Sequence, residues 1–549
     1  MNTTFLSANT YRALFGLLAV VYVTGLFVPL MDNDSAHHAD IALRMYLTGD
    51  FVNLVDHGTD YLDKPHLHFW LAALSYHVFG VTSFAYKFPS FLFTLLGIYA
   101  TYRLGSTLYN KEVGRLAALI VSSSFAFILA NNDVRMDAIL TSSIVFATWQ
   151  LADWVNTRRL VNVAGAALGL ALGFCTKGHI AVATPAAAAF FYILYKKDWK
   201  SFYNGQLLLI IAFFFLFISP VVYCYYLQYD LHPEKVVRGR SGISGVKFIL
   251  WQQNVERFEG ESFGSDRKND YFFFLHSFLW AFAPWSLLGF AAYFSRLKSF
   301  VTRRYEWLTI STFTLVLAII SLSGFKLPHY LNITFPVASV FTASYLLHHR
   351  GNPVLLKRFA VTQAIVCTLL LLLAGLVNAW AFPLHNIGAI IGFLGLLAAG
   401  YFLLKSVRGK LQQVVVASAV TIMTVFFLLN ANFYPQLLTY QAGNELAATV
   451  NKEIGAENLY FYNTQSWSLN FYTRRLTQPF SDSLLDTGKK VWVVTMKATE
   501  GEIKERYQTG RQYRRKDYEI TRLKGDFLNP ATRDSALDQM VITEVLGRK

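Results

Sequence analysis

Long apolar segments recur along the first 430 residues and constrain the fold more than any other feature. Hydrophobic residues make up 54% of the 549 residues and charged residues only 15%, whereas ordinary soluble domains carry about 25% charged residues. A helix of about 20 apolar residues is long enough to cross a bilayer. The pattern therefore predicts a polytopic α-helical membrane protein.

About thirteen apolar segments are predicted to cross the membrane. They lie near residues 12–30, 84–103, 115–131, 138–154, 161–176, 178–195, 207–227, 272–293, 305–323, 330–348, 359–380, 386–404 and 412–430. The apolar segment 66–80 is too short for a span, and we expect it to form an amphipathic helix in the membrane interface.

Basic residues are concentrated in every second loop between these spans. Residues 103–115, 296–304 and 405–410 hold several lysines and arginines each, and the intervening short loops hold single ones. Because basic loops stay in the cytoplasm, the N-terminus is predicted to be cytoplasmic and the C-terminus periplasmic. The net charge of +15 is consistent with these loops and with contact to anionic lipids. No nucleic-acid-binding motif is recognisable, so no nucleic-acid partner is expected.

Three hydrophilic segments are predicted to face the periplasm. They are residues 31–83, 228–271 and 431–549. The first two are loops of a transmembrane domain, 1–430. The third alternates helical patterns with apolar strand patterns at 458–463 and 490–496, which indicates a small periplasmic α/β domain.

The unusual polar residues are concentrated on this predicted periplasmic side. A carboxylate there can act as a general base, and nearby lysines and arginines can hold a phosphate. No P-loop or dinucleotide-binding glycine pattern is present. A phosphate-linked donor that reaches the site through the bilayer fits this combination.

Structural alternatives stand beside each functional reading. Asp34 is equally well explained as the N-cap of the helix that follows it, and Asp137 as the cap of the next span. Asp63 and Lys64 can form a solvated ion pair, and Lys326 can extend its ammonium group to the membrane interface.

A divalent metal ion at Asp34, His37 and Asp63 is left open. His37 and His38 are neighbours on a helix, so at most one of them would ligate with a given partner.

The order of short motifs supplies a resemblance. The chain reads "DSAHHADIA" and "YLDKPHLHFWL" after the first span, then "VRMDAILT", "TKGH", "NVERFEG" and "KLPHYLNITFP". In this order the motifs resemble those of the polyprenyl-phosphate-dependent GT-C glycosyltransferases. Within that group the chain is most similar to bacterial aminoarabinose lipid A transferases and the related protein O-mannosyltransferases.

The resemblance implies a role for individual residues. Asp34 would be the catalytic base, and Asp137 would orient the acceptor or support the site. The residues that would bind the donor and its phosphate are Tyr61, Asp63, Lys64, Lys177, Arg257, Lys326 and Tyr330.

The chain also departs from the family pattern. His37 stands in place of the family arginine, and His66 in place of the second proline of its motif. Together with His38, these two histidines are the candidates for this chain's own specificity.

The function hypothesis is a membrane glycosyltransferase of the bacterial inner membrane. It would move a monosaccharide from a polyprenyl-phosphate donor to a lipid A or lipopolysaccharide-type glycolipid at the periplasmic face, with inversion. A protein acceptor is the first alternative. A non-catalytic carrier or flippase and a scaffold of an envelope assembly are the others. Membrane lipids are expected partners, no cofactor besides the metal is expected, and a monomer is favoured.

Overall fold

A computed structural model describes residues 4–253, 256, 270–488 and 490–549. The chain is built mainly of helices, with one mixed sheet near its C-terminus. Residue 257, where the motif places an arginine in the donor site, and most of the surrounding loop lie outside the described residues.

The α-helices of seven or more residues follow each other closely along the chain. In the first half they are α1 (Ala8–Leu26), α2 (Asp34–Thr48), α3 (Leu67–Phe79), α4 (Ser83–Leu108), α5 (Lys111–Ser122), α6 (Phe125–Asn132), α7 (Asp137–Thr157), α8 (Leu160–Lys177), α9 (Ile180–Lys196) and α10 (Gln206–Tyr225). In the second half they are α11 (Phe273–Ala281), α12 (Ser286–Lys298), α13 (Leu308–Leu322), α14 (Phe335–His348), α15 (Pro353–Gly375), α16 (Ile387–Ser406), α17 (Lys410–Leu428), α18 (Ala442–Thr449), α19 (Trp467–Thr473) and α20 (Glu500–Arg506). Short helical turns extend or join several of them.

Each of the thirteen predicted spans coincides with one or two of these helices. Six helical segments among the described residues are long and apolar enough to cross a membrane, or seven if the pair α5 and α6, bent by 54°, counts as one span. The chain is therefore polytopic, and the number of thirteen spans stays a prediction. The segment expected to lie in the membrane interface is helical, as α3, and its position relative to the membrane stays a prediction.

Five strands near the C-terminus form a mixed sheet. A two-residue hairpin, β1 (Val55–Asp56) and β2 (Thr59–Asp60), precedes them in the chain. The sheet strands are β3 (Leu459–Phe461), β4 (Gln478–Pro479), β5 (Val491–Met496), β6 (Tyr507–Asp517) and β7 (Asp538–Arg548), in the spatial order β4-β3-β5-β7-β6. Both predicted strands occur, as β3 and β5, whereas β4, β6 and β7 were not predicted.

Polar contacts join the C-terminal segment to the loop between α1 and α2. The side-chain amide of Gln441 donates to the carbonyl of Leu30 at 3.1 Å and accepts from the amide of Asp32 at 2.8 Å. The hydroxyl of Tyr472 accepts from the amide of Leu30 at 2.8 Å. These bonds satisfy backbone groups that a loop would otherwise leave unpaired. They hold α19 against α2, where most of the predicted site residues begin.

Candidate functional site

Lys87 of α4 fixes the end of the helix that leads into the site. Its ammonium group is completely buried and donates to the carbonyls of Gly25 and Val28 at 3.2 and 2.7 Å. A cation is well placed at the carbonyl end of a helix, where unpaired acceptors and the helix dipole favour positive charge. The chain therefore leaves α1 in a defined direction just before Asp34.

Asp34 is the first residue of α2 and forms an ion pair. Asn33 occupies the cap position and makes no side-chain capping bond, so the alternative of Asp34 as N-cap does not describe this structure. The Asp34 carboxylate lies 2.6 Å from Nη1 of Arg135, and the Asp34 side chain is 46% exposed. This carboxylate is therefore accessible from solvent.

Arg135 links Asp34 to a second group of charges. It lies in the turn between α6 and α7 and also contacts Asp133 at 2.8 Å and Nδ1 of His329 at 3.3 Å. Nε2 of His329 lies 3.8 Å from the Asp137 carboxylate. Asp137 accepts a hydrogen bond of 2.8 Å from the ammonium group of Lys177.

These contacts form one continuous chain of charged and polar side chains, which we call the charge relay. Its members are Asp34, Arg135, Asp133, His329, Asp137 and Lys177. Tyr330 adjoins it, with its ring centre 4.8 Å from Nζ of Lys177. Asp137 and Lys177 are almost fully buried, with side chains 4% and 9% exposed. The predicted residues Asp34, Asp137, Lys177 and Tyr330 thus lie together, although they come from different parts of the chain.

Asp63 and Lys64 have different surroundings. Asp63 forms an ion pair with Arg238, which also contacts Glu256 at 3.1 Å. The carbonyl of Asp63 accepts a 2.7 Å hydrogen bond from Gln253. Asp63 therefore links its own loop to Arg238 and Gln253, which come from a distant part of the chain.

Lys64 is half-buried and lies close to α2. Burial lowers the pKa of His38 well below its usual range, and the positive charges of Lys64 and Arg135 are among the groups that lower it further. Both cations therefore act on the same histidine.

Lys326 is buried, and its ammonium group lies 5.9 Å from the ring centre of Tyr271.

His37 is enclosed by aromatic rings. Its ring lies 4.7 Å from that of Trp467 in a stacked arrangement and 5.4 Å from that of Tyr61 in an edge contact. Its Nε2 atom pairs with Asp56 at 2.9 Å. Trp467 belongs to α19, so the C-terminal segment contributes directly to the surroundings of His37 and Tyr61.

Three aspartates beneath α19 form what we call the acidic cluster: Asp32, Asp40 and Asp56. Three residues of α19 each donate to one of them. These bonds run from Trp467 Nε1 to Asp56 at 3.1 Å, from Ser468 Oγ to Asp32 at 2.8 Å and from Asn470 Nδ2 to Asp40 at 3.3 Å. Burial raises the pKa of both Asp32 and Asp40 to about 7. Burial also raises that of Asp56, but hydrogen bonds from His37 and His57 outweigh it and bring the pKa well below the usual range.

The three metal ligands predicted from the sequence each pair with a different residue. Asp34 pairs with Arg135, His37 with Asp56, and Asp63 with Arg238. The structure does not bring these three candidate ligands into a common group.

His66 and His68 are buried inside the protein. His66 is fully buried between Trp70 and Tyr225, and its Nε2 atom lies 2.8 Å from the carbonyl of Val52. Burial lowers the pKa of His66 and of His68 to about 4. In this position His66 contacts protein groups, so a direct contact with substrate stays a prediction.

Acid is expected to destabilise the protein through these two histidines. Their pKa values are lowered from 6.5 to about 4 in the folded state, so the unfolded chain binds more protons between these values. The stability that they contribute is present above pH 6.5 and is lost as the pH falls through 4, by up to about 3 kcal/mol per histidine. Thermal unfolding in detergent between pH 7 and 4 measures this loss. A double variant His66→Gln/His68→Gln should show a flatter pH profile; an unchanged profile would contradict the assignment.

The sequence patterns did not predict Arg135, His329 or Arg238 as site residues. Arg135 and His329 stand inside the quoted motifs, directly beside Asp137 and Tyr330 in the chain. Their position beside Asp137 and Tyr330 could have marked them as candidates for the site. The residues that they contact, however, lie far away in the sequence. Trp467 was missed because α19 carries no acidic or basic side chain that would indicate a site.

Comparisons of the sequence with known proteins agree with the motif resemblance. A family model described as dolichyl-phosphate-mannose-protein mannosyltransferase matches residues 63–224. An undecaprenyl phosphate-alpha-4-amino-4-deoxy-L-arabinose arabinosyl transferase of Pseudomonas aeruginosa is 29% identical over 330 residues, 58% of this chain and 55% of that protein. An uncharacterized protein of Aquifex aeolicus is 26% identical over 67% of this chain and 70% of its own length. The chain thus matches little more than half the length of the curated transferase.

The structural comparisons concern the fold. ArnT from Cupriavidus metallidurans, solved with undecaprenyl phosphate, superposes with a TM-score of 0.74 at 18% identity and with 98% of each chain covered. The apo oligosaccharyltransferase of Archaeoglobus fulgidus gives a TM-score of 0.50 at 12% identity over 91% of this chain and 73% of its own. The resemblance to the GT-C glycosyltransferases is therefore confirmed, in sequence similarity and in fold.

Proposed function

We propose that this chain is a membrane glycosyltransferase that moves a monosaccharide from a polyprenyl-phosphate donor to a glycolipid acceptor of the lipid A or lipopolysaccharide type. The reaction would take place at the periplasmic face of a bacterial inner membrane. The fold shared with ArnT and the similarity to curated arabinosyl transferases support this proposal. We infer the class of donor from the names of those relatives, and we leave the identity of the sugar open.

The observation that carries the proposal is the charge relay. It combines one accessible carboxylate, that of Asp34, with the half-buried cation of Arg135 and the buried pair of Asp137 and Lys177. A glycosyl transfer needs a base at the acceptor hydroxyl and positive charge at the departing phosphate. Asp34 meets the first requirement within the relay, and the cations proposed for the second are mainly residues outside it.

In the proposed reaction the acceptor oxygen attacks the anomeric carbon and gives its proton to Asp34. The bond between that carbon and the phosphate oxygen breaks, and the electron pair leaves with the polyprenyl phosphate. Attack from the face opposite the phosphate inverts the anomeric configuration. Arg135 holds the Asp34 carboxylate in position, and its remaining contacts to Asp133 and His329 keep it from moving away.

Positive charge for the departing phosphate would come from Lys64, Lys326 and Arg257. Lys64 lies near α2, close to the side of the site where Arg135 is found. Lys177 donates a hydrogen bond to Asp137 and packs on Tyr330. It would therefore hold Asp137 in position and, from within this ion pair, add positive charge near the phosphate. Tyr61, which contacts His37, and Tyr330 would line the donor headgroup.

Replacing Lys64 by alanine is expected to weaken donor binding and to slow turnover. A charge-assisted hydrogen bond to phosphate contributes about 1.5–3 kcal/mol, so the KM for the lipid-phosphate sugar should rise at least about tenfold. Steady-state kinetics with purified protein and a polyprenyl-phosphate sugar measure this. Lys235→Ala is the matched control, because Lys235 pairs with Asp60 at 3.2 Å outside the relay. An unchanged donor KM in Lys64→Ala would argue against a phosphate contact.

A protein acceptor is the second candidate. It is favoured by the match of residues 63–224 to the mannosyltransferase family model. Mass spectrometry of envelope glycolipids and glycoproteins from cells with and without the chain distinguishes the two acceptors. Transfer by the purified protein to either acceptor would exclude a flippase or a scaffold, which bind without reaction.

A further inference from the structure

A second group of polar side chains lies beside the charge relay, between α2 and the β1–β2 hairpin. Asp40, Asp56 and His57 each offer one ligand atom, and these atoms lie within 4.8 Å of one another. This is the one such group of three among the residues that the structure describes. A tetrahedral cation with bonds of about 2.1 Å separates its ligands by about 3.4 Å. A small inward movement of the side chains therefore suffices to surround an ion.

One carboxylate oxygen of Asp40 is buried and lacks a hydrogen-bond donor among the described residues. Asp40 is 4% exposed, and its Oδ2 atom accepts from Asn470 at 3.3 Å. Its Oδ1 atom is buried and has no hydrogen-bond partner among the described residues. A buried carboxylate oxygen without a donor is costly. A cation bound to it removes that cost, and this observation is independent of the spacing.

Neighbouring groups hold the other two candidate ligands in place. Asp56 accepts from Nδ1 of His57 at 2.8 Å, from Nε2 of His37 at 2.9 Å and from Trp467 at 3.1 Å. Ligands in metal sites are commonly oriented by such outer hydrogen bonds. His37 and Trp467 therefore supply this support to Asp56.

Burial differs among the three residues. Asp40 is buried, whereas the side chains of Asp56 and His57 are 20% and 19% exposed. An ion can therefore reach the site from solvent past Asp56 and His57 and meet the buried carboxylate.

We propose that Asp40, Asp56 and His57 bind one divalent cation of the Zn²⁺ type, which ties the β1–β2 hairpin to α2 beneath α19. Two carboxylates and an imidazole suit Zn²⁺ better than Mg²⁺ or Ca²⁺, which prefer oxygen ligands throughout. The site differs from the Asp34, His37 and Asp63 set expected from the sequence. Its role is structural, because none of its ligands belongs to the charge relay.

Zinc binding to the purified full-length chain tests this site. The protein is prepared without a polyhistidine tag, stripped with EDTA and titrated with Zn²⁺ alone by equilibrium dialysis and metal analysis. We expect saturable binding of about one ion per chain and a higher midpoint of thermal unfolding with Zn²⁺ than without it. Excess Mg²⁺ should not displace the ion.

Variants decide whether the ion sits at these residues. His57→Gln and Asp56→Asn should each weaken Zn²⁺ binding at least about tenfold and abolish the rise in the unfolding midpoint. Because His57 lies in the turn between β1 and β2 and is less buried than Asp40, His57→Gln is expected to fold even if a change at Asp40 does not. Asp50→Asn, just beyond the C-terminal end of α2, is the control and should bind as wild type does. Wild-type zinc affinity in His57→Gln, or no saturable binding by the wild type, would overturn the proposal.

Discussion

Asp34→Asn should reduce turnover by about 100-fold or more, since general-base catalysis contributes about 10²–10⁴ in rate. Asparagine keeps the shape of the side chain but cannot take the proton of the acceptor hydroxyl. The donor KM should change little, because the phosphate contacts involve other residues. Turnover of a polyprenyl-phosphate sugar, measured at saturating donor, is the readout.

The structure makes this variant informative because it predicts little loss of stability. The Asp34 side chain is 46% exposed, and exposed ion pairs contribute at most about 1 kcal/mol. Arg135 also retains Asp133 as a partner. Asp50→Asn makes the same chemical change just beyond the C-terminal end of α2 and should leave turnover unaffected. Near wild-type turnover in Asp34→Asn would remove Asp34 as the base.

Breaking the pair between Asp137 and Lys177 should have the largest effect on stability. Lys177→Met leaves the carboxylate of Asp137 buried without the hydrogen bond from the Lys177 ammonium group. Removing one partner of a buried ion pair costs about 3–5 kcal/mol. The midpoint of thermal unfolding in detergent should fall clearly, and turnover should fall with it if Asp137 orients the acceptor.

A double-mutant cycle isolates this interaction. Asp137→Asn/Lys177→Met should be more stable than Lys177→Met, because it leaves no unpaired buried charge. Lys200→Met replaces an exposed lysine and serves as the control for the change in side chain. If the double variant is as unstable as the sum of the two single variants predicts, the two residues do not stabilise each other.

Local sequence patterns were sufficient for the helices and for two strands of the C-terminal sheet. The strand β5 reads as an apolar run and is buried over most of its length. The strand β6 reads "YQTGRQYRRKD" and was missed, because it lies at the edge of the sheet and is largely exposed. An exposed edge strand needs no alternation of apolar residues, so no periodic signal distinguishes it.

The motif residues were identified more completely than their partners. Asp34, Asp137, Lys177 and Tyr330 were predicted to act together, and they do lie together. His37, which stands where the family carries an arginine, lies against Trp467 and Asp56. His57 was not considered, because a histidine in a short turn carries no pattern.

The sequence by itself determined the class of protein, because hydropathy and the order of motifs can be read along the chain without knowing which residues are in contact. They indicated a polytopic helical chain that resembles the GT-C glycosyltransferases, with its unusual acids in a few loops. Only the tertiary structure decided which acid meets which base. Arg135 contacts His329 across 194 residues, and Trp467 reaches Asp56 across 411. Such pairs depend on how the helices pack, which no local pattern in the sequence records.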